Sequence, residues 1–159
     1  MTVALEKRNY RGEEHQWYCV DMTIDEIEPK GIDLLIIPGG DSSSMFNNKH
    51  LKKFIEQVAA GGGKIGGICG GSELMAALGI LDGKRCTGNT TGVKPTDSVY
   101  PYYENTNLLE EHVVVDGNII TAQGQAFIQF AVEIARQAGT ISDDKDFEET
   151  LNWFKNIRD

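Results

Sequence analysis

Lys64-Ile65-Gly66-Gly67-Ile68-Cys69-Gly70-Gly71-Ser72-Glu73 is the stretch on which the fold turns. Its first half, Lys64 to Ile68, has the length and composition of a short buried strand. Its second half opens a helix that carries Leu74, Met75 and Leu78 on one face and ends at Gly79. Between them stands Cys69, in the order Gly67-Ile68-Cys69-Gly70-Gly71. That is the glycine–x–nucleophile–x–glycine form of a nucleophile elbow. A residue on so tight a strand-to-helix turn takes a strained backbone conformation. Side chains two positions to either side would collide, so glycine is needed there. The turn exposes the thiol above the sheet. The dipole of the following helix favours thiolate over thiol, and its free N–H groups, that of Gly70 first, can stabilise an oxyanion. The plain alternative is an inert core cysteine. The glycines favour the chemical reading for Cys69, and nothing comparable surrounds Cys19 or Cys86.

Upstream, Asp33-Leu34-Leu35-Ile36-Ile37 is a continuous apolar run ended by Pro38-Gly39-Gly40. It reads as a strand buried on both faces, the mark of a parallel sheet covered by helices. Adjacent parallel strands put their C-terminal loops side by side, which makes Gly39 or Gly40 a second oxyanion donor. Leu51, Phe54, Ile55, Val58 and Ala59 fall on one face of a helix that Gly61-Gly62-Gly63 stops. Downstream, Arg85 to Gly88 suits a strand. Val113 to Val115, Asp116-Gly117-Asn118 and Ile119 to Thr121 form a hairpin signal. A helix is predicted over 126–138, with Phe127, Phe130, Ala131 and Ile134 inward and Gly139 as its stop. Ser142 or Asp143 caps a last helix, an extra C-terminal element within 140–159, carrying Phe147, Leu151 and Phe154. Acidic residues in its first turn, and Lys155 and Arg158 near its end, complement the dipole.

The first twenty residues are atypical: Val3 to Leu5 and Gln16 to Val20 are candidate strands without clean alternation. Thr23-Ile24-Asp25-Glu26 has the capping-box form and predicts a short helical turn, stopped by Pro29 and Gly31. Strand and helix alternate through the middle, so the expected fold class is α/β, a doubly wound, mostly parallel sheet with helices on both faces.

The chain has 159 residues, 40% of them apolar, which suits a single domain with one real core. Its net charge of −9 repels phosphate backbones and anionic lipids, so neither nucleic acid nor membrane is an expected partner. The N-terminus lacks the apolar region of a signal peptide, and the run from Leu34 to Pro38 is too short to cross a bilayer; the cytoplasm is the expected address. Three cysteines without close pairs argue against a disulfide framework. No CxxC or HxxxH occurs, and His15, His50 and His112 are scattered, so no metal and no cofactor is expected. Gly61 to Gly66 matches GxGxxG literally, but it follows a helix and opens a strand, the wrong polarity for a dinucleotide fingerprint. Lys64 is followed by Ile65, which rules out a P-loop.

Together, DMTIDEI (21–27), DLLIIPGGD (33–41), GGKIGGICGGSELMAALGILDGKRCTGN (62–89) and VVVDGNIITAQG (113–124) resemble the ThiJ/PfpI superfamily, in the family's order and spacing. That superfamily includes the parkinsonism-associated deglycase and PfpI-type intracellular proteases and is related to class I glutamine amidotransferases. The resemblance implies a flavodoxin-like fold, usually dimeric, with Cys69 as nucleophile and an oxyanion hole from Gly39, Gly40 and Gly70. The activities it implies range over peptidase or amidase, glyoxalase or deglycase, isocyanide hydration, chaperone and redox sensing.

Two departures stand out. Where many members carry a histidine, this chain has Cys86-Thr87-Gly88-Asn89. Asparagine cannot act as a general base, so no cysteine–histidine dyad arises from that position. Asn89 is either a ligand-binding or a turn residue, and Thr87 and Glu73 are further candidates to line the site. Glu73 is read first as helix surface. The family's first strand and its glutamate loop have no recognisable counterpart here. Glu13 and Glu14 are the nearby carboxylates and read as solvated surface, and His112 reads as an exposed loop histidine. The sheet is therefore expected to be incomplete or rearranged at its start, with residues 1–20 or a partner chain filling the place. The leading expectation is a cysteine-dependent hydrolase or amidase. The alternatives are a redox-sensing protein using an oxidisable Cys69 and an inactive, truncated relative.

Overall fold

Gly66 and Gly67 show how the layers meet. The computed structural model describes residues 1–156. Its main strands are numbered within the whole chain. They are β1 (Val3–Ala4), β2 (Tyr10–Arg11), β3 (Trp17–Tyr18), β4 (Met22–Thr23), β5 (Leu34–Ile37), β6 (Lys64–Ile68), β7 (Arg85–Cys86), β8 (Asn107–Leu108), β9 (Val113–Asp116) and β10 (Ile119–Ala122). The helices are α1 (Lys49–Ala60), α2 (Gly70–Ala77), α3 (Phe127–Gln137) and α4 (Asp144–Phe154). A four-stranded sheet runs in the order β5-β6-β10-β9. β5, β6 and β10 are parallel, and β9 joins β10 as the expected antiparallel hairpin. In β6, side chains alternate between two covered faces. A side chain at Gly66 would stand 2.8 Å from Ile134 of α3, and one at Gly67 would meet Met75 of α2. α1 and α2 cover one face, where Phe54, Ile55, Val58, Leu74 and Met75 pack with Ile65 and Ile119. α3 covers the other, where Phe130 and Ile134 meet Ile120 and Ala122. The expected α/β sheet with helices on both faces is thus observed.

Several details differ from expectation. β5 is not buried on both faces: Ile36 is 47% exposed. Leu35 and Ile37 enter the larger core and Leu34 the smaller one, but among the described residues β5 has a strand on one side only. Residues 1–20 do not fill its free edge. β1 pairs in parallel with β4, and β2 pairs with β3 as a hairpin, so the N-terminal strands form two-stranded pieces apart from the main sheet. Val3 and Leu5 still pack on the larger core. Thr23 to Glu26 makes no helix. The Thr23 N–H donates to Glu26 Oε2 at 2.8 Å, as in a capping box, but Thr23 already belongs to β4, and Pro29–Gly31 forms a 3₁₀ turn instead of a stop.

In α3, Phe127 is 62% exposed and Ala131 is exposed, whereas Val132 is buried. The helix serves two neighbours: Phe130 and Ile134 face the sheet, while Val132, Ile128 and Ala135 pack with Ile141, Phe147 and Leu151 around α4. Asp143 is the α4 cap, its carboxylate accepting from the Asp146 N–H at 2.9 Å. Phe154 is exposed beside Trp153, contrary to its expected inward place. Arg158 lies outside the described residues. Among the described residues, no helix is long and apolar enough to cross a membrane.

Candidate active site

Cys69 occupies the junction of β6 and α2 with φ 52° and ψ −123°, a conformation that L residues rarely adopt. Its N–H donates to the Ala122 carbonyl at 2.9 Å, and its own carbonyl accepts from the Ser72 and Glu73 N–H groups at 3.0 and 3.2 Å. The elbow is thereby tied to β10 behind and to the first turn of α2 ahead. The flanking glycines are needed because other backbone lies against them. A side chain at Gly71 would strike the Ile37 and Pro38 carbonyls, and one at Gly70 would strike the Gly40 carbonyl. Gly67 leaves space for Met75 and for the Ser72 N–H. Ser72 closes the turn, its hydroxyl donating to the Gly67 carbonyl at 2.8 Å.

The sulfur lies in a slot between two glycines. A side chain at Gly39 would stand 3.3 Å from Cys69 Cβ, and one at Gly124 would stand 3.2 Å from Sγ. The end of β5 therefore meets the elbow as the parallel arrangement predicts. Gly124, which follows β10, forms the opposite wall. The N–H groups of Gly39, Gly40 and Gly70 have no hydrogen-bond acceptor among the described residues.

Thr90 Oγ1 lies 3.6 Å from Sγ and is the side-chain atom that meets it. Among the described residues no carboxylate or imidazole hydrogen-bonds to the sulfur. Asn89 uses its side chain locally. With φ 59°, it accepts from the Thr90 N–H through Oδ1 at 2.6 Å and donates through Nδ2 to Asp97 Oδ2 at 3.0 Å. Its carbonyl accepts from the Gly124 N–H at 2.8 Å. It is a turn residue that joins the slot's two sides. Thr87 is fully buried beneath this loop, not in the slot; its N–H donates to Thr121 Oγ1 at 2.9 Å.

Glu73 opens onto a neighbouring cleft of about 450 Å³, lined also by Asp41, Phe46, Ser98 and Tyr102. Burial, and then the carboxylates of Asp97 and Asp41, raise its carboxyl above the usual range. Glu13 is exposed but not simply solvated. Its Oε1 accepts from the Asp41 N–H at 2.9 Å, which docks the β2–β3 hairpin on the Gly39–Gly40 loop. His112 Nδ1 faces Gln123 Oε1 at 3.2 Å instead of the thiol. Tyr103 is buried with no partner for its hydroxyl among the described residues, and that burial holds the phenol far above its ordinary range. Burial likewise raises the Cys86 thiol, whereas Cys19 is exposed. No cluster of histidine, cysteine and carboxylate residues suited to a metal occurs among the described residues.

Sequence reasoning missed Thr90, Gly124 and the docking of Glu13. The signal for Gly124 was present: it ends the strand beside β6, by the same argument that placed Gly39. Thr90 carried none, because only the turn at Asn89 aims it.

The elbow, its glycine slot and the parallel sheet define a cysteine-centred α/β protein of the nucleophile-elbow type. The chain matches the DJ-1/PfpI family over residues 1–137 and belongs to it. It is 29% identical over 137 residues to YoaZ of Bacillus subtilis, described as an uncharacterized protease, covering 85% of this chain and 62% of YoaZ. It is 28% identical over 116 residues to the glutathione-independent glyoxalase DJR-1.2 of Caenorhabditis elegans, covering 72% of this chain and 59% of that protein. The chain thus spans about three-fifths of the length of these relatives. A thiJ/pfpI family protein from Bacillus anthracis shares the fold with a TM-score of 0.78 and 24% identity, over 99% of this chain and 74% of that one.

Proposed function

We propose that this protein is a cysteine-dependent hydrolase of the amidase or protease type, with Cys69 as its nucleophile. Cys69 attacks a carbonyl of a small-molecule or peptide substrate, and the N–H groups of Gly39, Gly40 and Gly70 stabilise the resulting oxyanion. The observation that carries this reading is the elbow itself. A cysteine held at φ 52° at the start of a helix, with free glycine N–H groups about it, is a costly arrangement that core packing does not require. One relative described as an uncharacterized protease and another described as a glyoxalase support an enzymatic role as a class. We further place the protein in the cytoplasm as a homodimer, with neither nucleic acid nor membrane as partner.

Iodoacetamide labelling near neutral pH, read by mass spectrometry, tests the nucleophile. Cys69 is expected to react faster than exposed Cys19 and far faster than buried Cys86. A rate for Cys69 no greater than that for Cys19 would end the hydrolase reading.

One observation favours a second reading. Among the described residues the sulfur meets a hydroxyl and no general base. A thiolate so placed oxidises readily to sulfenic or sulfinic acid, which suits redox sensing. Mild peroxide should then modify Cys69 first, and oxidation spread evenly between Cys69 and Cys19 counts against it.

A further inference from the structure

We propose that Thr90 is the positioning residue of this site, donating its hydroxyl hydrogen bond to the Cys69 thiolate. The proposal rests on the reactive-thiolate reading above, but not on turnover of any substrate. Three observations carry it. Thr90 Oγ1 is 3.6 Å from Sγ, within reach of a sulfur hydrogen bond, and it makes no other side-chain hydrogen bond among the described residues. Its proton is therefore free for the sulfur. Second, the backbone that aims it is held from both directions: the Thr90 N–H donates to Asn89 Oδ1, and the Thr90 carbonyl accepts from the Gln125 N–H at 3.2 Å.

Third, the turn is set by a conformation that asparagine tolerates and most residues do not. Asn89 has φ 59°, and Asp97 anchors its amide while accepting from the Lys94 N–H at 2.9 Å. Asp97, Asn89 and Thr90 thus form one relay of fixed positions ending at the sulfur. Strained turns of this kind persist where the surroundings over-determine them.

The surrounding charges do not do this work. The titratable groups near the slot are Glu13 on the β2–β3 hairpin, Asp41 after β5, Glu73 on α2, Asp97 in the loop, Tyr103 on the 3₁₀ turn Tyr100–Tyr103 and His112 before β9. None of them hydrogen-bonds to Sγ. The nearby carboxylates would oppose a thiolate, so a neutral donor is what the site needs. A threonine hydroxyl can stabilise the anion but cannot take up its proton near neutral pH, so the proton leaves to solvent.

The test is the pH profile of Cys69 alkylation by iodoacetamide in the full chain, with Thr90→Val, Thr90→Ala and Thr90→Ser. Valine keeps the shape and removes the donor; alanine removes the donor without adding bulk, and repeats the reading should valine disturb the loop. Near pH 7 the valine and alanine variants are expected to react about three- to ten-fold more slowly, with the midpoint of the profile moved up by about half to one pH unit. Serine is expected to restore the original profile, and all variants should converge at high pH, where Cys69 is fully ionised. An unchanged midpoint in the valine and alanine variants overturns the proposal. So does a serine variant that behaves like valine, or an equal loss of rate at every pH, which would mean blocked access. A protein that hydrolyses nothing still yields this profile, so failure of the hydrolase reading and failure of this one are separate results.

Discussion

Replacing Cys69 by glycine should make the protein more stable than replacing it by alanine, the reverse of the usual order. In ordinary extended or helical backbone, glycine is worse than alanine by about 0.5–1 kcal/mol, because the unfolded chain gains freedom. At φ 52° and ψ −123° the Cβ of any L residue is strained. Such a residue costs roughly 1–3 kcal/mol, and glycine is released from that cost. Both variants lose the same sulfur contacts with Gly39 and Gly124, so those terms cancel between them. Taking the middle of each range, the balance leaves glycine ahead by about 1 kcal/mol. With a urea m-value of about 2 kcal/mol/M, the unfolding midpoint of Cys69→Gly should lie roughly 0.5 M above that of Cys69→Ala. Equilibrium urea unfolding by circular dichroism measures it, with the two slopes required to agree. If alanine is equal or better, the elbow stores no strain in solution, and the strongest structural ground for a functional Cys69 is gone.

Tyr103→Phe should stabilise the fold by about 1 kcal/mol in the same assay, since it removes a buried hydroxyl with no hydrogen-bond partner among the described residues; a loss of stability would show that the hydroxyl is satisfied after all. Glu73→Gln tests the acidic cleft. Burial, Asp97 and Asp41 raise the folded carboxyl above its ordinary value of 4.5, so the native state holds the proton more tightly and stability falls as pH rises through and above 4.5. The glutamine variant should be more stable near pH 7, by no more than about 0.5 kcal/mol because the group is half exposed and screened. That advantage should vanish below pH 4.5, where the carboxyl is protonated in both states. An advantage independent of pH would assign the effect to packing.

Local signals were read well wherever one element settled the matter. β6 begins and ends where its composition says, and the Asn118 hairpin, the cap at Asp143 and the left-handed Gly139 stop depend on near neighbours in the chain. The faces of α3 were read less well. A single period assumes one buried side, but α3 packs both on the sheet and on α4, which turns Val132 inward and leaves Phe127 out. The apolar run of β5 promised two covered faces, yet burial depends on neighbours supplied elsewhere, and one edge of that strand has none.

The same division runs through the site. From sequence alone came the parallel α/β fold, the elbow at Cys69 and the approach of Gly39, because glycine spacing and strand order constrain backbone within a few residues or across one ladder. Asn89 could be excluded as a base on its chemistry alone. Only the tertiary structure decided what touches the sulfur. Gly124 and Thr90 reach the sulfur from the end of β10 and the loop after β7, and Glu13 docks the N-terminal hairpin on the neighbouring Gly39–Gly40 loop. Strand order already pointed to Gly124, but the positions of Thr90 and Glu13 depend on how separate loops close over the end of one sheet, a geometry that no local pattern in the chain encodes.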